Sequence, residues 1–147
     1  MYKRILVPLD GSPLAETILL HVKGIAQGFD SEIILLYVTP TPAPEFASPT
    51  PEPLKAVLRE ERKDTTRYLK SLCTKIEKEG ARATYLIQKG AVAETILEVA
   101  EFMQADMIAM STHGRSGAQL LLLGSVTYKV VRHSPLPVLV IRSKPKK

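Results

Sequence analysis

The sequence predicts an α/β protein, an open five-stranded parallel sheet, doubly wound, with four helices on its two faces. Three observations predict it. Short apolar runs recur at 3–9 (KRILVPL), 31–38 (SEIILLYV), 81–88 (ARATYLIQ), 106–110 (DMIAM) and 137–142 (PVLVIR), each strand-sized and too short for a stable helix. Between them, apolar residues return every three or four positions, the spacing of an amphipathic helix. The joining segments are mostly short, and strict alternation of this kind gives parallel strands linked by right-handed crossovers.

The first run stops at Asp10-Gly11-Ser12-Pro13. Ser12 is a helix N-cap and Pro13 a first-turn residue, and Leu14, Ile18, Val22, Ile25 and Phe29 follow at helical spacing. Asp10 therefore sits at the carboxyl end of a strand, on the rim where open parallel sheets bind ligands. There it either accepts hydrogen bonds from a ribose hydroxyl or an adenine amine, or caps the turn into the helix.

The second run carries five apolar or aromatic residues in succession, Ile33 to Tyr37, before Val38 and reads as a buried strand. Residues 39–53 then hold six of the eleven prolines, at 40, 42, 44, 49, 51 and 53, and read as an irregular proline-rich loop over the site. Leu54, Val57 or Leu58, Thr65, Tyr68 or Leu69, Leu72 and Ile76 form a long helix that ends at Glu79-Gly80, with its charged face (Arg59, Glu60, Arg62, Lys63, Asp64, Arg67) to solvent. A third strand follows, with Lys89-Gly90-Ala91 as a turn. Val92, Ile96, Val99, Ala100 and Met103 give the third helix. The one cysteine, Cys73, excludes an internal disulfide and reads as packing within the long helix.

The most informative stretch is DMIAMSTHGRSGAQLLLLGSVT, residues 106–127. An apolar strand gives way to Ser111, Thr112, Gly114, Ser116 and Gly117, which let the backbone turn tightly and approach a ligand. Gly124-Ser125 then opens a helix over 125–133 that carries Val126, Val130 and Val131 on one face. A helix start has unpaired N–H groups and a positive dipole end, which attract phosphate. Donors are expected from the N–H groups of Gly114, Gly117, Gly124, Ser125 and Val126, with the hydroxyls of Ser125 and Thr127. A β-branched side chain at Gly114 or Gly124 is expected to fill the phosphate space. His113 and Arg115 lie in the same loop and either meet phosphate or shape the turn.

Other chemistries are excluded by what the chain lacks. It contains no G-x-x-x-x-G-K-[ST] and no G-x-G-x-x-G after the first strand. It supplies no clustered metal ligands, so a divalent cation, Mg2+ or Mn2+, would be bound through the phosphates. No side chain stands out as a general base, so binding is expected without catalytic residues, with hydrolysis slow at most. The net charge is +5, but the basic residues are spread along the chain and concentrate only at the tail, 142–147, and with aromatics at 5% and no Trp a nucleic-acid surface is not expected. With no 18-residue apolar run and no signal peptide, the protein is expected to be cytoplasmic, away from membranes. At 147 residues it suits one domain, 1–147, able to bury roughly two thirds of its unfolded surface.

Gly114, nine residues, then Gly124-Ser125 resembles the nucleotide loop of the universal stress protein family, whose pattern is glycine, two residues, glycine, nine residues, glycine, then serine or threonine. The chain departs at the first position, where it has Ser111. The resemblance runs from Lys3-Arg4-Ile5-Leu6-Val7-Pro8 and Asp10 to Pro137-Val138-Leu139-Val140-Ile141, essentially the whole chain. It implies a Rossmann-like, adenine nucleotide alpha hydrolase-like fold of strand order 3-2-1-4-5, which sets the ends of strands 1 and 4 side by side. It also implies that the chain binds ATP, or AMP or ADP, through Pro8, Leu9, Asp10, Met110, Ser111 and the loop residues, with the backbone of Val38 reading the adenine edge. As in the family, a homodimer is expected through strand 138–141, in a stress-response regulator. Two further readings stay open, a dimeric scaffold that has lost nucleotide binding, which Ser111 favours, and a slow ATP hydrolase.

Overall fold

The computed structural model describes residues 1–41, 49–112 and 124–142. Five strands, β1 (Arg4–Leu9), β2 (Glu32–Pro40), β3 (Arg82–Gly90), β4 (Met107–Ser111) and β5 (Val138–Ile141), form one parallel sheet in the order β3-β2-β1-β4-β5. The helices are α1 (Pro13–Glu16), α2 (Ile18–Phe29), α3 (Glu52–Lys78), α4 (Val92–Phe102) and α5 (Ser125–His133). Side chains alternate between the two faces of each strand, so the sheet builds two cores. Ile5, Val7, Leu9, Ile33 and Leu35 pack under α1, α2 and the C-terminal half of α3, while Leu6, Ile34, Leu36, Ile108 and Met110 pack under α4 and α5.

The observed elements depart from the expected ones in five places. The helix expected after Ser12 is two helices, because Thr17 turns back on the first turn: its hydroxyl and its N–H both donate to the Leu14 carbonyl, at 2.7 and 3.3 Å. β3 runs on through Lys89 and Gly90, paired with Thr39 and Pro40, so the expected turn at 89–91 is strand for two of its three residues. The proline-rich loop is correspondingly shorter, with Pro40 in β2 and Pro53 in the first turn of α3; residues 42–48 lie outside the described residues. Leu54, Val57 and Leu58 are 41–52% exposed, because the N-terminal half of α3 overhangs the sheet and only Leu69, Leu72, Cys73 and Ile76 are buried. Val131 is exposed as well, since α5 turns Thr127 and Val130 inward. Cys73 is indeed core, and burial, helped by the Glu77 carboxylate, pushes its thiol up to about 11, so it stays protonated at neutral pH.

One residue of β1 decides where the sheet opens. Arg4 accepts from the Asp106 N–H while Lys3 accepts from the Glu32 N–H, so even-numbered residues of β1 turn their backbone toward β4 and odd-numbered ones toward β2. Pairing with β2 runs the full length, Arg4 to Leu9. Pairing with β4 stops at Leu6↔Ile108. The next donor on that side would be Pro8, which has no N–H. The carboxyl ends of β1 and β4 therefore lack the bond that would draw them together.

Past that point the chain turns sharply. Gly11 has φ +87°, a conformation that costs an L side chain, while the nearest atom to an added Cβ, on Tyr37, lies at an ordinary 3.8 Å. The Ser12 N–H donates to Asp10 Oδ1 at 2.9 Å, and Ser12 Oγ caps α1 by accepting from the Ala15 N–H at 3.1 Å. The cost of a side chain at 11 is thus backbone strain alone, and Gly11→Ala is expected to lower stability by about 1–2 kcal/mol in urea unfolding.

Candidate functional site

A pocket of about 390 Å³ lies at the carboxyl ends of β1 and β4, the point at which the strand order reverses. That volume is within the usual range for a small-molecule site. Its lining is partly apolar and partly polar. Leu36, Val38, Val92, Ile96 and Met110 make up most of the apolar lining, with Val38 and Met110 almost fully buried. Asp10 stands on one side at the end of β1, and Gly124, Ser125, Val126 and Thr127, at the start of α5, stand on the other.

The start of α5 is held in place by its backbone rather than by a side-chain cap. Gly124 is the N-cap and no side chain caps the helix. The first bond of the helix runs from the Tyr128 N–H to the Gly124 carbonyl at 2.8 Å, so the N–H groups of Ser125, Val126 and Thr127 precede the helical bonding. Thr112 is the anchor. Its N–H donates to the Ile141 carbonyl at 2.9 Å, and its carbonyl accepts from the Gly124 N–H at 3.0 Å and from the Thr127 hydroxyl at 3.3 Å. Thr127 Oγ1 also donates to the Ser111 carbonyl at 3.1 Å. Its hydroxyl proton therefore points into the junction, and the donor that Thr127 keeps for a ligand is its N–H.

Gly124 has a steric reason to be glycine besides the expected one. Its φ of −60° and ψ of 153° suit any residue. A Cβ there would stand 2.6 Å from the Thr112 carbonyl oxygen, and a backbone atom cannot move aside cheaply. A side chain at 124 would therefore wedge β4 and α5 apart before it filled any phosphate space.

Of the residues expected at the site, Pro8, Leu9, Asp10, Val38, Met110, Ser111, Gly124, Ser125, Val126 and Thr127 all line this pocket. His113, Gly114, Arg115 and Gly117 lie outside the described residues. Ser111, where the family pattern has glycine, closes β4 in register with Ile141 and is buried, so its backbone is ordinary strand. Sequence reasoning did not mark Ala15, Leu36, Tyr37, Val92 and Ile96, and it named Thr112 and Pro40 only as parts of the loops around the site. Val92 and Ile96 begin α4 immediately past the end of β3, on the same rim as Asp10, a placement that could have marked them. Their apolar character suggested only core.

Behind the Asp10 wall lies Tyr68 of α3. Its phenol is pushed up by burial first, then by the Glu16 carboxylate, with Asp10 and Tyr37 adding to the effect. The phenolic oxygen is buried, and no acceptor or donor among the described residues meets it at hydrogen-bond geometry.

The comparisons agree with this architecture. The model of the universal stress protein family matches residues 1–142. The chain is 34% identical to Universal stress protein MJ0531 of Methanocaldococcus jannaschii, over all of this chain and 85% of that protein. The solved structure of MJ0577 from the same organism is 34% identical, covers 99% of both chains and superposes with a TM-score of 0.76. Universal stress protein UspA from Lactobacillus plantarum reaches a TM-score of 0.81 at 26% identity, over 96% of this chain and 98% of that one. A family match across nearly the whole chain, on a five-stranded sheet of order 3-2-1-4-5 with its cleft between strands 1 and 4, means that this chain belongs to the universal stress protein family.

Proposed function

We propose that this protein is an adenine-nucleotide binding module, with ATP as its ligand, that works as a homodimer in the cytoplasmic stress response. The single observation that carries the reading is the pocket's polarity. Apolar side chains that suit a base, a carboxylate at the end of β1 that suits a sugar and a run of helix-start N–H groups that suits phosphate all line this one pocket. Val38 and Met110 would flank adenine, Asp10 would accept from the ribose, and the N–H groups of Ser125 and Val126 with the Ser125 hydroxyl would hold phosphate. His113, Gly114, Arg115 and Gly117 would complete the phosphate side. Mg2+ or Mn2+ would enter through the phosphates. The same fold carries AMP in a universal stress family protein of Arabidopsis thaliana, at 17% identity, a TM-score of 0.70 and 97% and 92% coverage of the two chains. It carries cAMP in another universal stress protein, at 22% identity, a TM-score of 0.64 and 97% and 98% coverage. In this chain the support for a nucleotide is its own pocket and the resemblance of its loop. For the cytoplasmic reading, no helix among the described residues is long and apolar enough to cross a membrane.

The dimer reading rests on β5. Among the described strands it pairs with β4 alone. The Ile108 N–H donates to the Pro137 carbonyl and the Thr112 N–H to the Ile141 carbonyl, so positions 137, 139 and 141 face β4 and Val138 and Val140 turn their backbone outward. An apolar edge of this kind is a template for a second strand.

Calorimetric titration of ATP into nucleotide-stripped protein tests the ligand. Asp10→Asn keeps the Oδ1 that holds the turn and loses the charge, so affinity is expected to fall about tenfold while the melting midpoint holds. Equal affinity would remove Asp10 from the site, and no heat with wild-type protein would remove the nucleotide. Gly124→Ala is expected to lower the melting midpoint and the affinity together, the stability cost being about 1–3 kcal/mol; weaker binding at an unchanged midpoint would return Gly124 to the phosphate space. Val140→Pro deletes an outward N–H without touching the β4 ladder, and light scattering at micromolar concentration is expected to show a dimer for wild type and a monomer for the variant. A wild-type monomer would refute the dimer.

A further inference from the structure

A second cavity, of about 960 Å³, lies between the exposed half of α3 and the carboxyl ends of β2 and β3. Its floor is sheet. Tyr37 pairs with Ile87 and Thr39 with Lys89, and alternation along a strand puts all four on one face, the face whose core Tyr37 and Ile87 help to pack. Its wall is α3 from Lys55 to Thr65. Helix and sheet stay apart here for a chemical reason. Further along α3, Leu69, Leu72 and Ile76 are buried in the core they share with β1 and β2. Over the groove the helix offers Arg59, Glu61 and Arg62 and the sheet offers Thr39 and Lys89, with Leu58, 41% exposed, the one apolar side chain that α3 adds to the lining.

Four cations line the groove, Lys55, Arg59, Arg62 and Lys89, against two carboxylates, Glu61 and Asp64. Lys55 is taken by Glu52, and Asp64 by Arg67. That leaves Arg59, Arg62 and Lys89 against Glu61, and none of these four has an ion pair among the described residues. Positive charge therefore stands on the helix and on the sheet of one groove, and an anion between them would relieve the repulsion. A lone ion would leave most of the groove unused. Leu58, Tyr37 and Ile87 add apolar surface, and the helix from 55 to 65 spans about 15 Å, the length of about four or five extended residues. A nucleic-acid strand suits the groove poorly, because Glu61 and Asp64 would face its phosphates and Tyr37 is the one aromatic in the lining for a base to stack on.

We propose that this groove docks an acidic, partly apolar peptide segment of a partner protein, with Arg59, Arg62 and Lys89 receiving its carboxylates and Leu58 and Ile87 its apolar side chains. Arginine clusters suit such a segment because a guanidinium meets a carboxylate with two parallel hydrogen bonds. The groove is a different site from the nucleotide pocket, whose lining it meets at Tyr37 and Pro40. The proposal therefore does not rest on the adenine-nucleotide reading.

Fluorescence anisotropy of a short dye-labelled peptide of alternating glutamate and leucine, added to the full chain without nucleotide, tests the proposal. Wild-type protein is expected to bind it saturably below millimolar concentration at low salt, more weakly as salt rises, and to ignore the matching lysine and leucine peptide. Arg62→Glu and Lys89→Glu, both at exposed positions, are each expected to weaken binding about tenfold at an unchanged melting midpoint. Lys63→Glu makes the same charge change on α3 outside the groove lining and is expected to leave binding as it is. No saturable binding by wild-type protein, full affinity in Arg62→Glu and Lys89→Glu, or an equal loss in Lys63→Glu would each overturn the proposal. Tighter binding of a single-stranded oligonucleotide, lost in the same two variants, would give the groove to nucleic acid instead. Displacement of the probe by a free peptide of residues 42–48 would give it to the chain itself, and a change of mass by light scattering in Arg62→Glu would give it to a second copy; all three overturn the partner segment.

Discussion

A missing hydrogen-bond donor in the central strand governs the rest of the molecule. β1 is flanked on both sides, the setting in which proline is ordinarily excluded, yet Pro8 is accommodated because its nitrogen faces β4 where the ladder has already ended. On the other side β1 remains fully paired with β2. The sheet is therefore closed along one seam and open along the next, and the opening coincides with the reversal of strand order that topology alone makes a crevice. Reversal of the order provides room for a ligand; the proline keeps the two strand ends from zipping together.

Across the opening, Thr112 performs the complementary task. Its backbone joins the end of β4 to the end of β5 through Ile141 and to the start of α5 through Gly124, and the Thr127 hydroxyl spans the same corner. Three elements that meet at one peptide cannot drift independently, so the helix start keeps a fixed aim into the cleft. The glycine at 124 follows from this closeness, for its Cα packs where a carbonyl oxygen leaves no room for a further carbon.

Much of this was legible in the sequence. The two faces of the sheet and the burial of β2 and β4 follow from uninterrupted apolar runs; Asp10 stands out as a carboxylate just past a strand that precedes a helix, and Gly124-Ser125 as a glycine and a hydroxyl at a helix start. What was not legible has physical causes. Thr17 splits the first helix through hydrogen bonds to a carbonyl that any residue could supply, so no residue type announces the break. Leu54, Val57 and Leu58 carry a helical pattern that is correct for conformation and misleading for burial, because periodicity cannot say where a helix outruns its sheet. Val92 and Ile96 have the same chemistry whether they fill a core or a ligand's apolar slot, and only position separates the two roles. The closeness of Gly124 to the Thr112 carbonyl was not foreseen, because the spacing of a motif does not show which atom a side chain would strike.

The overhang of α3 has a consequence of its own. Beyond the sheet, among the described residues, the helix has its own backbone bonds and three ion pairs spaced i to i+3, Glu52 with Lys55, Glu60 with Lys63 and Asp64 with Arg67, each exposed and therefore weak and sensitive to salt. Its other half is fastened to the interior by Leu69, Leu72 and Ile76. Amide exchange along this single helix should accordingly run as a gradient, fast at the Glu52 end and slow at the Ile76 end, with the change setting in near Tyr68. The element is half framework and half lever, and the fulcrum stands one layer behind the cleft.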